Sequence, residues 1–166
     1  MATNGDTINL YYDLGVKGAY LSNEITKDEI LNIRSNTKSD LFILLFGNPV
    51  VAMSRRNLLT SYFANKNKSK RDLIIIREPK SGQEFLVKED SNGTTFFYNK
   101  RLNLSNVYKE LGNFGINYGI IEQADYSDKK YKKLIKYFVN FNKEKIDELA
   151  GHNRGFLYRE TIYKVK

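Results

Sequence analysis

Residues 40–46 read DLFILLF, an aspartate followed by six consecutive apolar side chains. Successive residues of a strand point to opposite faces of its sheet, so a strand without polar alternation is buried on both. Sheets covered on both faces are typically parallel and flanked by helices. This segment predicts an α/β chain.

The sequence around it alternates accordingly. TINLYYDLG sets Ile8, Tyr11 and Tyr12 at the spacing of a short helix ending near Gly15, and VKGAYLS reads as a strand. Ile25, Thr26, Glu29 and Ile30 then form a doubly locked helix start: Thr26 caps the amide of Glu29, Glu29 reaches back, and Ile25 staples to Ile30. Leu104, Val107, Tyr108 and Leu111 mark another helix, stopped by Gly112 or Gly115, before the strand INYGIIE. From Asp128 to Leu149 an apolar stripe through Leu134, Phe138, Val139 and Ile146 predicts one long amphipathic helix, with Lys129, Lys132, Lys133, Lys136 and Lys143 mostly on its outer face. The alternation in GFLYRETIYKVK, with Thr161, Tyr163 and Val165 set against Ile162 and Lys164, predicts a terminal strand.

Between residues 72 and 98 the pattern changes. DLIIIRE, QEFLVKE and TTFFYNK are short and β-rich, and Ser81-Gly82 and Asn92-Gly93 between them are hairpin turn signals. They predict a three-stranded antiparallel meander inserted in one α/β domain spanning residues 1–166. ANKNKSKRD, just before it, is a basic loop.

Composition narrows the chemistry. With 166 residues and 41% hydrophobic positions, the chain can bury one good core. Twenty-seven Lys and Arg against nineteen Asp and Glu leave a net charge of +8. That favours encounter with polyanions such as RNA, although a lysine-, asparagine- and isoleucine-rich composition accounts for part of it. There is no cysteine, which excludes disulfides, a thiolate nucleophile and any Cys-ligated iron–sulfur cluster. No run is long and apolar enough to span a bilayer, and the N-terminus has no signal-peptide pattern, so a cytoplasmic location is expected.

Two groups of side chains are candidates for a site. Glu24 in LSNEI and Glu122 in GIIEQ each follow a strand-like run, so both are expected at the carboxyl mouth of the sheet as acid, base or metal ligand; the alternative is support of a helix start and an ion pair. In FGNPVVAMSRRNLLTSYF an apolar strand ends in Ser54, Arg55 and Arg56 and passes straight into helical spacing. Guanidinium groups grip phosphate and carboxylate bidentately, so Ser54, Arg55 and Arg56, joined by Arg77 at the end of the next apolar run, are expected to line an anion- or RNA-binding rim. A solvated or salt-bridged turn is the competing reading. Ser54 needs a base to act as nucleophile, and the sole histidine, His152 in AGHNRG, is remote in sequence. Tyr62, Phe63, Phe97 and Tyr98 offer stacking surfaces or core. HExxH, a Gly-rich phosphate loop and paired cysteines are all missing from the sequence.

In order, LSNEIT, FGNPVVAMSRRNLLTSYF, a meander ending TTFFYNKRLNL, LGNFGINYGIIE and RGFLYRETIYKVK resemble the C-terminal half of the collagenase-like peptidases, the U-type peptidase family thirty-two. The resemblance spans residues 7–166. It implies the later strands of a TIM-like (β/α) barrel, and hence an open edge along residues 17–21 where self-association or a second chain supplies the missing half. For function it implies either peptide hydrolysis or a part in hydroxylating tRNA, ribosomal RNA or a quinone precursor, the latter often with an iron–sulfur cluster. The cluster's cysteines fall in and around the segment matching Val51 to Leu59, and VAMSRRNLL has none. An accessory or binding role in RNA hydroxylation is therefore the preferred expectation, ahead of a working protease or an inactive half-barrel.

Overall fold

The DLFILLF run forms the centre of a sheet. In a computed structural model of the chain, which describes residues 1–123, 126–151 and 153–159, β2 (Asp40–Gly47) lies between β1 (Gly18–Tyr20) and β8 (Tyr118–Ile121), parallel to both. Phe42 pairs with Tyr20 on one side and with Tyr118 on the other, which fixes the order β1–β2–β8. The register slips between Leu44 and Phe46. Consecutive carbonyls of β2 serve its opposite edges: Leu45 accepts from the Leu104 amide and Phe46 from the Glu122 amide, each at 2.8 Å. Beside the last two residues of β2 runs β7 (Leu102–Asn103), antiparallel, with Gly47 paired to Leu102.

Helices cover this sheet. They are α1 (Gly5–Asp13), α2 (Lys27–Asn36), α4 (Tyr108–Asn113), α5 (Asp128–Val139) and α6 (Lys143–Ala150). Their inward residues Ile8, Ile30, Ile33, Leu111, Leu134, Phe138 and Ile146 join Leu41, Ile43, Leu44 and Phe46 of β2 in one core. The start of α2 has the expected lock: Thr26 Oγ1 accepts from the Glu29 amide, and the Glu29 carboxylate accepts from the Thr26 amide at 2.6 Å. On the outer side of β1, Ala2 bridges to Leu21, its amide donating to Tyr20 and its carbonyl accepting from Ser22. The edge expected to be open along residues 17–21 is thus partly covered.

The long helix expected from Asp128 to Leu149 is two helices. Phe141 adopts φ of 55°, a left-handed conformation that ends an α-helix, and the Asn142 side chain caps α6 through the Lys145 amide. The apolar stripe did not reveal this break because Leu134 and Phe138 before it and Ile146 after it are all buried. Val139, counted on the stripe, is 69% exposed. The terminal strand expected over Thr161 to Val165 lies outside the described residues, and residues 155–158 form a turn.

Residues 48–101 are a second compact unit; the first comprises residues 1–47 and 102–166. Here β3 (Val50–Ser54), β4 (Leu73–Arg77), β5 (Glu84–Asp90) and β6 (Gly93–Tyr98) form a wholly antiparallel sheet in the order β3-β6-β5-β4. The three runs of the meander are present, and β3 adds a fourth, antiparallel strand from outside the expected 72–98 span. The helix α3 (Leu58–Asn65) sits on one face, with Leu59 and Phe63 against Val87, Ile74, Phe85 and Phe96. The chain is thus a mixed α/β protein of six helices and two sheets, with no closed barrel among the described residues.

Candidate functional site

The parallel sheet collects polar groups at its carboxyl end. As β1 ends, Tyr20 is followed by Ser22, Asn23 and Glu24; β2 ends at Gly47, and β8 runs directly into Glu122. Glu122 lies so close to Gly47 that a Cβ on Gly47 would come within 2.3 Å of its Oε2. The missing side chain makes room for that carboxylate. Burial raises the Tyr20 pKa above 10.0, and the Glu122 charge raises it further, against a smaller opposing hydrogen bond with Asn23. The phenol is therefore held protonated beside a carboxylate. Glu24 is exposed, and its amide donates to Ser22 Oγ at 3.2 Å. Of the two predicted carboxylates, Glu122 is the one built into the strand end.

Next to this mouth is a cavity of about 10 Å³ lined by Ser22, Asn23 and Arg154 among Ile25, Ile43 and Leu104, room for one water. Asn23 lines it, and its Oδ1 is buried and accepts no hydrogen bond among the described residues. A phenol donor, a carboxylate acceptor and an orphan amide oxygen suit the recognition of a small polar group. Tyr20, Asn23 and Arg154 were missed from sequence, although Tyr20 and Asn23 stand in the same strand-end segment as Glu24.

The basic candidates belong to the second unit. Ser54 ends β3, and its Oγ accepts from the Arg56 amide at 3.2 Å. The Arg56 carbonyl accepts from the Leu58 amide and from Thr94 Oγ1 at 2.8 Å. Gly93, at φ of 118°, has no side chain because the Ser54 carbonyl and Arg55 Cα occupy its place, at 2.1 Å and 2.8 Å from an ideal Cβ. Arg55 and Arg56 are exposed.

Arg77 does not share their rim. Ser54 pairs with Thr94 and Thr94 with Glu89, whose amide donates to the Asp72 carbonyl, so this row marks one end of the sheet. Arg77 lies at the far end of β4, paired with Glu84 and donating to the Gly82 carbonyl at 3.2 Å. Four strand steps from Leu73 to Arg77 separate the two ends by about 13 Å.

The amino end of α3 is itself already filled. The buried carboxylate of Glu89 accepts from the Leu59 amide at 2.7 Å, the Thr60 amide at 3.2 Å and Thr94 Oγ1 at 3.1 Å, and also from Thr60 Oγ1. Lys70 Nζ approaches it at 3.2 Å. Burial alone would raise its pKa, but the hydrogen bonds from Thr60, Lys70 and Leu59 outweigh this and lower it to about 2. An internal anion thus occupies the helix terminus.

Three further expectations bear on catalysis. Among the described residues, no three acidic or histidine side chains converge to hold a metal. His152, the base that Ser54 would need, lies outside the described residues. In the segment expected to hold a cluster's cysteines, the one sulfur is the thioether of the exposed Met53, which does not fit iron–sulfur ligation.

Polar groups at the carboxyl ends of parallel strands, with an antiparallel unit inserted between two of those strands, define an α/β protein with a strand-end site. The model of Peptidase family U32 matches residues 1–164, and the chain belongs to that family. A curated relative, tRNA hydroxylation protein P2 of Bacillus subtilis (strain 168), is 23% identical over 97% of this chain. The chain spans 61% of that relative's length. No solved structure matches it. No helix among the described residues is long and apolar enough to cross a membrane.

Proposed function

We propose that this chain takes part in tRNA hydroxylation in the cytoplasm, as a component that binds the RNA or supports the modifying enzyme rather than as a protease. The observation that carries this reading is the alignment, over nearly the whole chain, with a relative named for tRNA hydroxylation. The basic charge agrees with it. The strand-end mouth around Tyr20, Asn23 and Glu122 is the site for a small polar group, and Glu24 borders it. With no cysteine, these 166 residues supply no ligands for a Cys-ligated cluster.

The architecture is read as an arc of a (β/α) barrel. Its support is that β1, β2 and β8 are parallel, adjacent and in chain order, as barrel strands are. Self-association or a second chain extends this arc along the outer edge of β1, where Ala2 provides a single bridge.

Removing the gene and measuring hydroxylated nucleosides in bulk tRNA by mass spectrometry tests the function. The expected result is their loss, restored by the wild-type gene and poorly by a Glu122→Gln version. Unchanged hydroxylation overturns the proposal. Cleavage of collagen-like peptides by the purified protein would restore the protease reading.

A further inference from the structure

We infer that one end of the antiparallel unit is a phosphate-binding surface for RNA, formed by Arg55 and Arg56 beyond β3 and by Arg71 before β4. This deepens the tRNA reading above and rests on it. Charge distribution is the first argument. Residues 48–101 hold eleven Lys and Arg against five Asp and Glu, which is +6 of the chain's +8. The smaller unit thus carries most of the field that draws a polyanion.

Register is the second argument. The row Ser54–Thr94–Glu89–Asp72 crosses all four strands at one end of the sheet. Arg55 and Arg56 continue past it from Ser54, and Arg71 precedes it at Asp72. Three interstrand spacings put the two groups about 14 Å apart, a width that several phosphates of a nucleic-acid backbone can span. The Arg55 backbone is held against Gly93 and the Arg56 carbonyl by Thr94, so the turn is ordered while both guanidinium groups face water.

The third argument is which cations are still available. Lys70 is engaged by Asp72 at 3.0 Å and Glu89 at 3.2 Å. Arg55, Arg56 and Arg71 have no ion pair or side-chain hydrogen bond among the described residues. At the opposite end Arg77 is bonded to Gly82, and Lys100 and Arg101 also have partners. Glu89 adds to the contrast from below. Its negative charge is buried and shared with the α3 amides and Lys70, so it does not cancel the exposed arginines. Backbone-directed cations of this kind bind RNA without reading its sequence.

Full-length protein is titrated with bulk tRNA in gel shifts at a series of salt concentrations. Arg55→Gln/Arg56→Gln should weaken binding and flatten the log affinity against log salt slope by about 1.5, at roughly 0.7 to 0.9 per lost phosphate contact. Adding Arg71→Gln should flatten it by a further ~0.8. Arg77→Gln/Lys80→Gln removes equal charge from the other end and should change the slope by less than about 0.5. Arg55→Lys/Arg56→Lys keeps the charge and should keep most of the slope, separating lost contacts from a damaged turn. Equal losses from both ends overturn the inference, as does loss on changing Lys129, Lys132 and Lys136 of α5 with none from the arginines; either result leaves the tRNA reading standing. Wild-type protein that binds no tRNA at low salt overturns the inference and, of the reading above, leaves only support of the modifying enzyme.

Discussion

Glu89 on β5 accepts a hydrogen bond from the backbone amide of Leu59 at 2.7 Å, across 30 residues of chain, and so caps a helix to which it does not belong. Asn57, the residue at the usual capping position, makes no such bond. The interaction ties α3 to the meander through charge as well as packing.

Its pH dependence follows from the sign of the shift. The carboxyl of Glu89 lies at about 2 in the folded chain against an ordinary value of 4.5, so its stabilisation is present above about 4.5 and is lost as pH falls from there towards 2. Glu89→Gln should melt at lower temperature than wild type at neutral pH, and the gap should close through that acid window. A gap unchanged between pH 6 and roughly pH 2 would mean that the charge does not cap the helix.

At α2, Thr26→Ala removes the capping oxygen and should cost about 1 kcal/mol in urea denaturation. Glu29→Ala breaks the same reciprocal pair, so the double variant should lose less than the sum of the two single losses. Strict additivity would show that the two bonds act separately.

The two faces of α5 make a paired prediction. Leu134 is fully buried, and Leu134→Ala should destabilise by about 2–5 kcal/mol. Val139→Ala, at an exposed position on the same nominal stripe, should stay within about 0.5 kcal/mol. Comparable losses at both would show that Val139 shares the buried face of α5.

At the strand-end mouth, Glu122→Gln removes a charge that raises the Tyr20 pKa while leaving the burial that raises it more. The phenol should then titrate at lower pH than in wild type, though still above its ordinary value. NMR of isotope-labelled tyrosine, with Tyr20→Phe to assign the signal, measures this, and an unmoved titration would separate the two residues.

The parts that the sequence revealed are those set by neighbours along the chain. Six apolar residues in a row specify a strand buried on both faces wherever it goes, and Thr26 and Glu29 are three residues apart whatever surrounds them. The parts it hid depend on pairing between distant segments. Arg77 seemed to share a rim with Arg55 and Arg56 because both follow apolar runs. The order and antiparallel directions of four strands send them to opposite ends, and β3 joins through Phe97, Phe96, Thr95 and Thr94, which no local pattern announces. The cap made by Glu89 has no sequence signal, since alternation gives its face but not the helix above it. The turn at Phe141 was hidden because an aromatic residue at positive φ has no local signature.

Gly47 and Leu102, the last residue before the antiparallel unit and the first after it, are partners on one rung of the parallel sheet. To the scaffold, everything between them is the loop of a hairpin, and the entropy of closing a loop grows only with the logarithm of its length. Such a rung is a natural splice point: descendants of one ancestor can lengthen, exchange or discard what hangs from it while β1, β2 and β8 keep their register. A family built this way can keep one frame and vary what it grasps.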